Sequence, residues 1–337
     1  MNSPGPAELD ALRAGGTTAP RPRHGRMHLL MLGATFCWAS NIVAGKEALR
    51  GFGALPLAQL RVVGAAIILG FLFLAWRKRP GLHLSAHQWA FLLWTALFGI
   101  TLNQLFFIGG LARSSVAHTG LIVALGPVMV LVLASIMRLE ALTILKIVGM
   151  AISFTGVGFL TMGKTGQASG ATLKGDMILL IGSAVFAYYT VLLKEVMDQF
   201  DPLTLNMLIF GLGAAMMLPF TARALLAMPW TELPAIAWWG LGYMVVFGSV
   251  TAYLIFAFAL TELTAARVAA FSYLQPGIAT ALGIWLLGER LTYSVVIGGI
   301  LILFGVYLTE RERGEDVQLQ KSTSGTVKSS ETRPQTL

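Results

Sequence analysis

Nine residues carry most of the uncharged polar chemistry found inside otherwise apolar sequence: Trp38, Asn41, Asn103, Gln104, Tyr188, Tyr189, Tyr253, Tyr273 and Gln275. They are amides, phenols and an indole, groups that make hydrogen bonds without carrying a charge. A few such groups beside aromatic walls is how small-molecule sites are built, so this is the candidate substrate-binding set. Each also has a plainer reading, a hydrogen bond between packed helices worth about 0.6 kcal/mol on average.

The charged candidates are fewer. Lys46 and Lys194 stand in the similar stretches "GKEAL" and "LKEVM", where a lysine either attracts a substrate carboxylate, acts in gating, or reaches out to interfacial water. Arg61 and Arg113 are further basic candidates without an assigned role. Arg267, nine residues before Pro276, either pairs with Glu262 or faces the mouth of a cavity. Apart from His28 at the border of the first predicted span, His118 is the one histidine within a span; imidazole titrates in the physiological range, which suits a proton acceptor, and a hydrogen-bonded structural histidine is the alternative.

Other chemistry is disfavoured. His83 and His87 have no third ligand nearby, and the single Cys37 allows neither an intramolecular disulfide nor a thiolate cluster, so no metal and no cofactor are expected. The chain has no Gly-x-x-x-x-Gly-Lys-Ser/Thr loop for ATP-driven pumping. It also lacks the His-Glu-x-x-His, Asp-rich or Gly-x-Ser-x-Gly run that a membrane-embedded enzyme would need. Glu47 and Glu195 fall at span ends, Glu140 and Glu289 in turns, and the other acidic residues are assigned to loops or tails. A carrier of lipophilic cations would need a buried carboxylate, and none is expected here.

The elements that position these groups follow from composition. Of the 337 residues 56% are hydrophobic and 12% charged, with mean hydropathy +0.73, against about 25% charged in soluble domains. The chain is therefore expected to be an all-α integral membrane protein. A spanning helix needs about 20 apolar residues. Ten such stretches are predicted, at 28–48, 56–76, 89–110, 115–137, 143–162, 175–196, 203–222, 236–258, 265–287 and 292–310. Residues 1–27 and 311–337 are polar and aromatic-free apart from their apolar borders, and read as disordered tails. Arg13, Arg21, Arg23 and Arg26 precede a run too long for a signal peptide, so an uncleaved first helix is expected.

The formal net charge of +8 is scattered over loops and tails without a basic helix, which argues against a nucleic-acid partner. With the N-terminus cytoplasmic, 16 of the 24 Lys and Arg fall on the cytoplasmic side. Both termini are then cytoplasmic, and the membrane expected is a bacterial inner membrane.

Pro127 and Pro276, each inside an apolar stretch, are 149 residues apart. At that offset "RLEALTILKIVGMAISFTGV" (138–157) lies over "LGERLTYSVVIGGILILFGV" (287–306), aligning Glu140 with Glu289, Gly149 with Gly298 and Gly156 with Gly305. Two repeats are read, 28–162 and 175–310, each of five spans. Five is odd, so the second enters the membrane inverted, and inverted repeats place a binding site near the midplane between interrupted helices. The prolines are then symmetry-related helix kinks beside a cavity. Gly149, Ser153, Gly156, Gly298 and Gly305 are assigned to close helix contact, within the scaffold or a dimer.

These residues resemble the EamA-like family of the drug/metabolite transporter superfamily, chiefly through "YLQPGIATALGIWLLGERLTYSVVIGGILILFGVYL", its partner in the first half, "GATFCWASNIVAGKEAL" and "QLRVVGAAIIL". The resemblance covers about 28–310. It implies ten helices, alternating access and export of amino acids or other small metabolites, often coupled to protons. A nucleotide-sugar or organic phosphate exchanger is the alternative reading. The partners expected are a small-molecule substrate and membrane lipid, with the chain a monomer or homodimer.

Overall fold

The computed structural model describes residues 24–75, 84–136, 143–162, 172–196, 200–262, 268 and 271–308, and no strand occurs among them. Residues 1–23 and 311–337 of the predicted tails, Arg267, and the side chains of Lys194 and Glu262 lie outside the described residues, while residues 24–27 belong to the first helix. The helices are α1 (His24–Ala48), α2 (Ala54–Ala75), α3 (Ala86–Leu111), α4 (Val116–Val123), α5 (Gly126–Ile136), α6 (Ile144–Met162), α7 (Leu173–Val196), α8 (Pro202–Leu226), α9 (Ala235–Thr261), α10 (Gln275–Leu287) and α11 (Tyr293–Leu308). Seven runs are long and apolar enough to cross a membrane: α1, α2, α3, the α4–α5 run Val116–Leu133, α7, α8 and α9. The apolar helices of α6, α10 and α11 are shorter.

Local chemistry sets the helix ends. Ser85 and Gln88 form a reciprocal capping box at the start of α3. Asp201 accepts from the Leu203 and Thr204 amides ahead of α8, whose first residue is Pro202. At the end of α10 Gly288 adopts φ +67°, the left-handed conformation that glycine takes without a Cβ clash. That turn returns Glu289 toward α4, where its carboxylate accepts from the Val116 amide at 2.7 Å and the Ala117 amide at 3.2 Å. First-turn amides have no intrahelical partner, and a carboxylate there also complements the helix dipole.

The two prolines interrupt helices instead of bending them. A turn at 124–125 separates α4 from α5, and Pro127 is the second residue of α5. Pro276 is the second residue of α10, after a 3-10 turn at Phe271–Leu274. A first-turn N–H has nothing to bond within its helix, so proline loses nothing by starting one. At the expected kinks the described residues show a turn before Pro127 and a 3-10 turn before Pro276.

Two wider turns carry no signal in the sequence. α3 is π-helical over Leu97–Leu102 and α9 over Met244–Thr251. Each inserted residue rotates the remainder of the helix by about 100° relative to a regular one. These stretches stand immediately before Asn103 and Gln104 in one case and before Tyr253 in the other, so they set the direction of those side chains.

The small residues of α6 and α11 pack against each other within the chain. A Cβ on Gly156 would lie 2.8 Å from the Gly298 carbonyl, and a Cβ on Gly298 would lie 2.8 Å from the Gly156 carbonyl. Gly305 faces Gly149 and Ser153 in the same way, and Ser153 Oγ donates to the Ile302 carbonyl at 3.2 Å.

Candidate functional site

A cavity of about 100 Å³ lies within the bundle, walled by α1, α2, α3, the α4–α5 break, α7, α9 and α10. Six of the nine candidate binding residues line it: Trp38, Asn41, Asn103, Gln104, Tyr253 and Gln275. Trp38 and Asn41 are three residues apart on α1 and so share a face. The Trp38 indole donates to the Gly248 carbonyl at 3.2 Å and meets the Tyr253 ring edge-on at 6.0 Å. Gly248 belongs to the π stretch of α9, and any Cβ there would collide with the Asn41 side-chain oxygen, so glycine is what lets Asn41 sit at the wall. Gln104 bridges Asn103 Oδ1 and the Tyr253 hydroxyl through long contacts of 3.4 Å each.

The α4–α5 break supplies Val123 and Gly126 to the wall. Because Pro127 has no N–H, the Val123 carbonyl lacks its i+4 donor, a loss tolerated beside a polar cavity. Gln275, the first residue of α10, occupies the corresponding place near Pro276.

Arg61, a basic candidate to which the sequence assigns no role, stands in the cavity wall. It is 2% exposed. Its Nε donates to Ser249 Oγ at 2.8 Å, and its guanidinium lies 5.8 Å from the centroid of the Phe107 ring. Arg61 Nη1, Asn41 Oδ1 and Gln104 Oε1 are all buried with no hydrogen-bond partner among the described residues. Orphaned buried polar atoms are rare, and three on one cavity mark it as a place built for a polar ligand.

The remaining candidates lie elsewhere. Tyr188 accepts from the Trp94 indole at 3.0 Å, and Tyr189 is fully buried against Gly99 and Phe186. Tyr273 packs beside the cluster of Leu121, Leu125 and Leu179, and does not line the cavity. Lys46, in the last turn of α1, lies outside the lining.

His118 has a partner that the sequence does not suggest. Its Nδ1 lies 2.8 Å from Asp176 Oδ2, and Ser114 Oγ donates to Asp176 Oδ1 at 2.5 Å. Asp176 is 0% exposed. The expectation that no acidic residue is buried within the bundle is therefore corrected: Asp176, grouped with the loop residues although it is the second residue of the predicted span 175–196, lies buried in the first turn of α7. No sequence signal in α7 itself announces a partner 58 residues away. The cavity lining still contains no carboxylate among the described residues.

Comparison with known proteins agrees with this architecture. The model of the EamA-like transporter family matches residues 25–162 and 173–311. An uncharacterized transporter of Archaeoglobus fulgidus is 29% identical over 286 residues, covering 84% of this chain and 97% of its own. The uncharacterized transporter YyaM of Bacillus subtilis is 25% identical, with 84% and 93% covered. A chloroplastic WAT1-related protein of Arabidopsis thaliana is also 25% identical, over 85% of this chain and 70% of its own. A solved crystal structure shares the fold at TM-score 0.59 and 16% identity, covering 84% of this chain and 96% of that one. The cavity thus lies between two family-matched segments that both contribute to its wall, and this integral membrane chain belongs to the EamA-like transporter family.

Proposed function

We propose that the chain is a secondary transporter that exports small polar metabolites, amino acids or their derivatives foremost, by alternating access across a bacterial inner membrane with both termini cytoplasmic. The observation that carries this reading is the cavity between the two family-matched segments, lined by uncharged hydrogen-bonding groups and aromatic rings. The two halves act as inverted five-helix repeats of a ten-helix protein. Support comes from the matched helix breaks at Pro127 and Pro276, and from the π stretches at corresponding places in α3 and α9. Rocking of one half on the other exposes the cavity to each side in turn.

Closure at one end falls to groups that bridge the halves: Glu289 on the first turn of α4, and Asp176 of α7 on His118 of α4. His118 and Asp176 together form the proton-responsive element. Two facts disfavour the phosphate-exchanger reading: Lys46 stands apart from the cavity, and Arg61 is the single charged side chain in the lining among the described residues. Monomer and homodimer both fit the fold.

The test is uptake of a radiolabelled amino-acid and metabolite panel into proteoliposomes, with and without a pH gradient, beside Pro276→Ala. Saturable uptake of one chemical group, lost in the variant, is expected. Uptake no greater than in protein-free liposomes across the panel overturns the reading.

A further inference from the structure

We infer that the cavity binds a small carboxylate of net charge minus one, held by the free edge of the Arg61 guanidinium; this deepens the transporter reading and rests on it. Arginine stays charged inside a protein, and its five donors cannot be neutralised by proton loss. Among the described residues one of them is in a hydrogen bond, Nε to Ser249 Oγ. That bond holds the plane of the group; Arg61 stands in the cavity wall, and its Nη1 is buried without a hydrogen-bond partner among the described residues. An isolated buried charge is costly unless paired, and no acidic side chain lines the cavity among the described residues. A ligand carboxylate meets the fork in bidentate geometry and supplies the missing charge.

Charge balance narrows the class. A zwitterionic amino acid would leave one net positive charge buried, and a phosphate monoester dianion would leave one net negative. A monocarboxylate leaves none. The other two orphaned atoms, Asn41 Oδ1 and Gln104 Oε1, are acceptors and call for neutral N–H or O–H donors on the ligand. Trp38, Phe107 and Phe186 offer apolar surface for its body. N-acylated amino acids and hydroxy acids have this combination: one carboxylate, one neutral donor and an apolar remainder.

The experiment is equilibrium binding to the full chain in lipid nanodiscs. The probes are N-acetylglycine, N-acetylalanine, N-acetylleucine and N-acetylphenylalanine, their matched amides, the free amino acids, lactate, and glycerol phosphate. At least one acid is expected to bind tenfold or more tightly than its own amide and, for the N-acetyl acids, than the corresponding free amino acid. Arg61→Gln should abolish the acid-over-amide preference, and Arg61→Lys should keep part of it. The acid–amide comparison on the unaltered chain stands even if a variant fails to fold. Equal binding of acid and amide, preference for the zwitterion or phosphate ester, binding by none of the acids, or an unchanged preference in a folded Arg61→Gln overturns the inference. Proteoliposome flux of zwitterions without acid preference would sink this inference and keep the transporter; acid-selective binding with no flux would do the reverse.

Discussion

His118 Nδ1 and Asp176 Oδ2 stand 2.8 Å apart, both buried, and join α4 to α7 across the boundary between the two family-matched segments. Ser114 completes the carboxylate's partners, and Ser115 caps α4 by accepting from the His118 amide at 3.1 Å. Glu289 reaches the same turn of α4 from the end of α10. Arg113, exposed on the adjoining turn, gives its carbonyl to Thr172 at the start of α7. One end of the bundle is thereby tied through a short series of polar contacts.

Removing Asp176 should be far worse than neutralising it. Asp176→Ala leaves His118 and Ser114 buried without a partner and should cost about 3–5 kcal/mol, the range for breaking a buried pair. Asp176→Asn keeps an acceptor for one of them and should cost less. Thermal unfolding of the purified chain in one detergent, with a His118→Ala double-mutant cycle, reads both; additive effects would show that the pair is not coupled.

If His118 and Asp176 form the proton-responsive element, Asp176→Asn should flatten the response to a pH gradient. Uptake by the unaltered chain is expected to rise with the gradient, while the variant exchanges substrate equally with or without it. A gradient effect of the same size in both would assign coupling to another group.

Glu289→Ala strips α4 of two amide acceptors. Hydrogen bonds to a charged group are worth about 1.5–3 kcal/mol each, so the melting temperature should fall, while Glu289→Gln should retain part of the stability. Thiol labelling of a cysteine introduced at Ala117 would report the loosening directly, and unchanged labelling in Glu289→Ala would show that the cap does not hold this junction closed.

Gly156→Ala or Gly298→Ala drives a methyl group against a backbone carbonyl, which has little room to give; a loss of about 1–3 kcal/mol is expected. Gly211, in α8, has nothing within 4 Å of its absent Cβ. Gly211→Ala should therefore be neutral or stabilise by up to about 1 kcal/mol. Equal melting temperatures for all three variants would remove the special status of the α6–α11 contact.

Gly248→Ala should act on binding more than on folding. Its methyl group displaces the Asn41 amide from the wall, and a tenfold rise in KM with expression and melting temperature little changed is the expected signature. A matching loss of folded protein would place the effect in packing.

Seven of the long apolar helices are legible in the sequence because about 20 apolar residues in a row have few other uses. Trp38, Asn41, Asn103, Gln104, Tyr253 and Gln275 are recognisable because polar atoms in such runs need partners, and the structure gathers these six at one wall. Tyr188 and Tyr189 share that composition, yet one pairs with Trp94 and the other fills the space beside Gly99; adjacent positions on a helix point about 100° apart, and sequence does not say which face is inward. Asp176 escapes notice because its first-turn position resembles a loop edge until α4 is set beside α7. The π stretches are illegible for a related reason, since nothing in "LFGITL" or "MVVFGSVT" distinguishes a wide turn from a regular one.

The α6–α11 contact has a further consequence. Gly149 faces Gly305 while Gly298 faces Gly156, so each pair is the other with its members exchanged, and Ser153 touches Ile302, its own counterpart at the 149-residue offset. An isologous homodimer interface has this self-complementary form, in which one patch serves both partners. A surface of that kind constrains the two helices alike: bulk added at Gly156 or at Gly298 is opposed by a backbone carbonyl of the other.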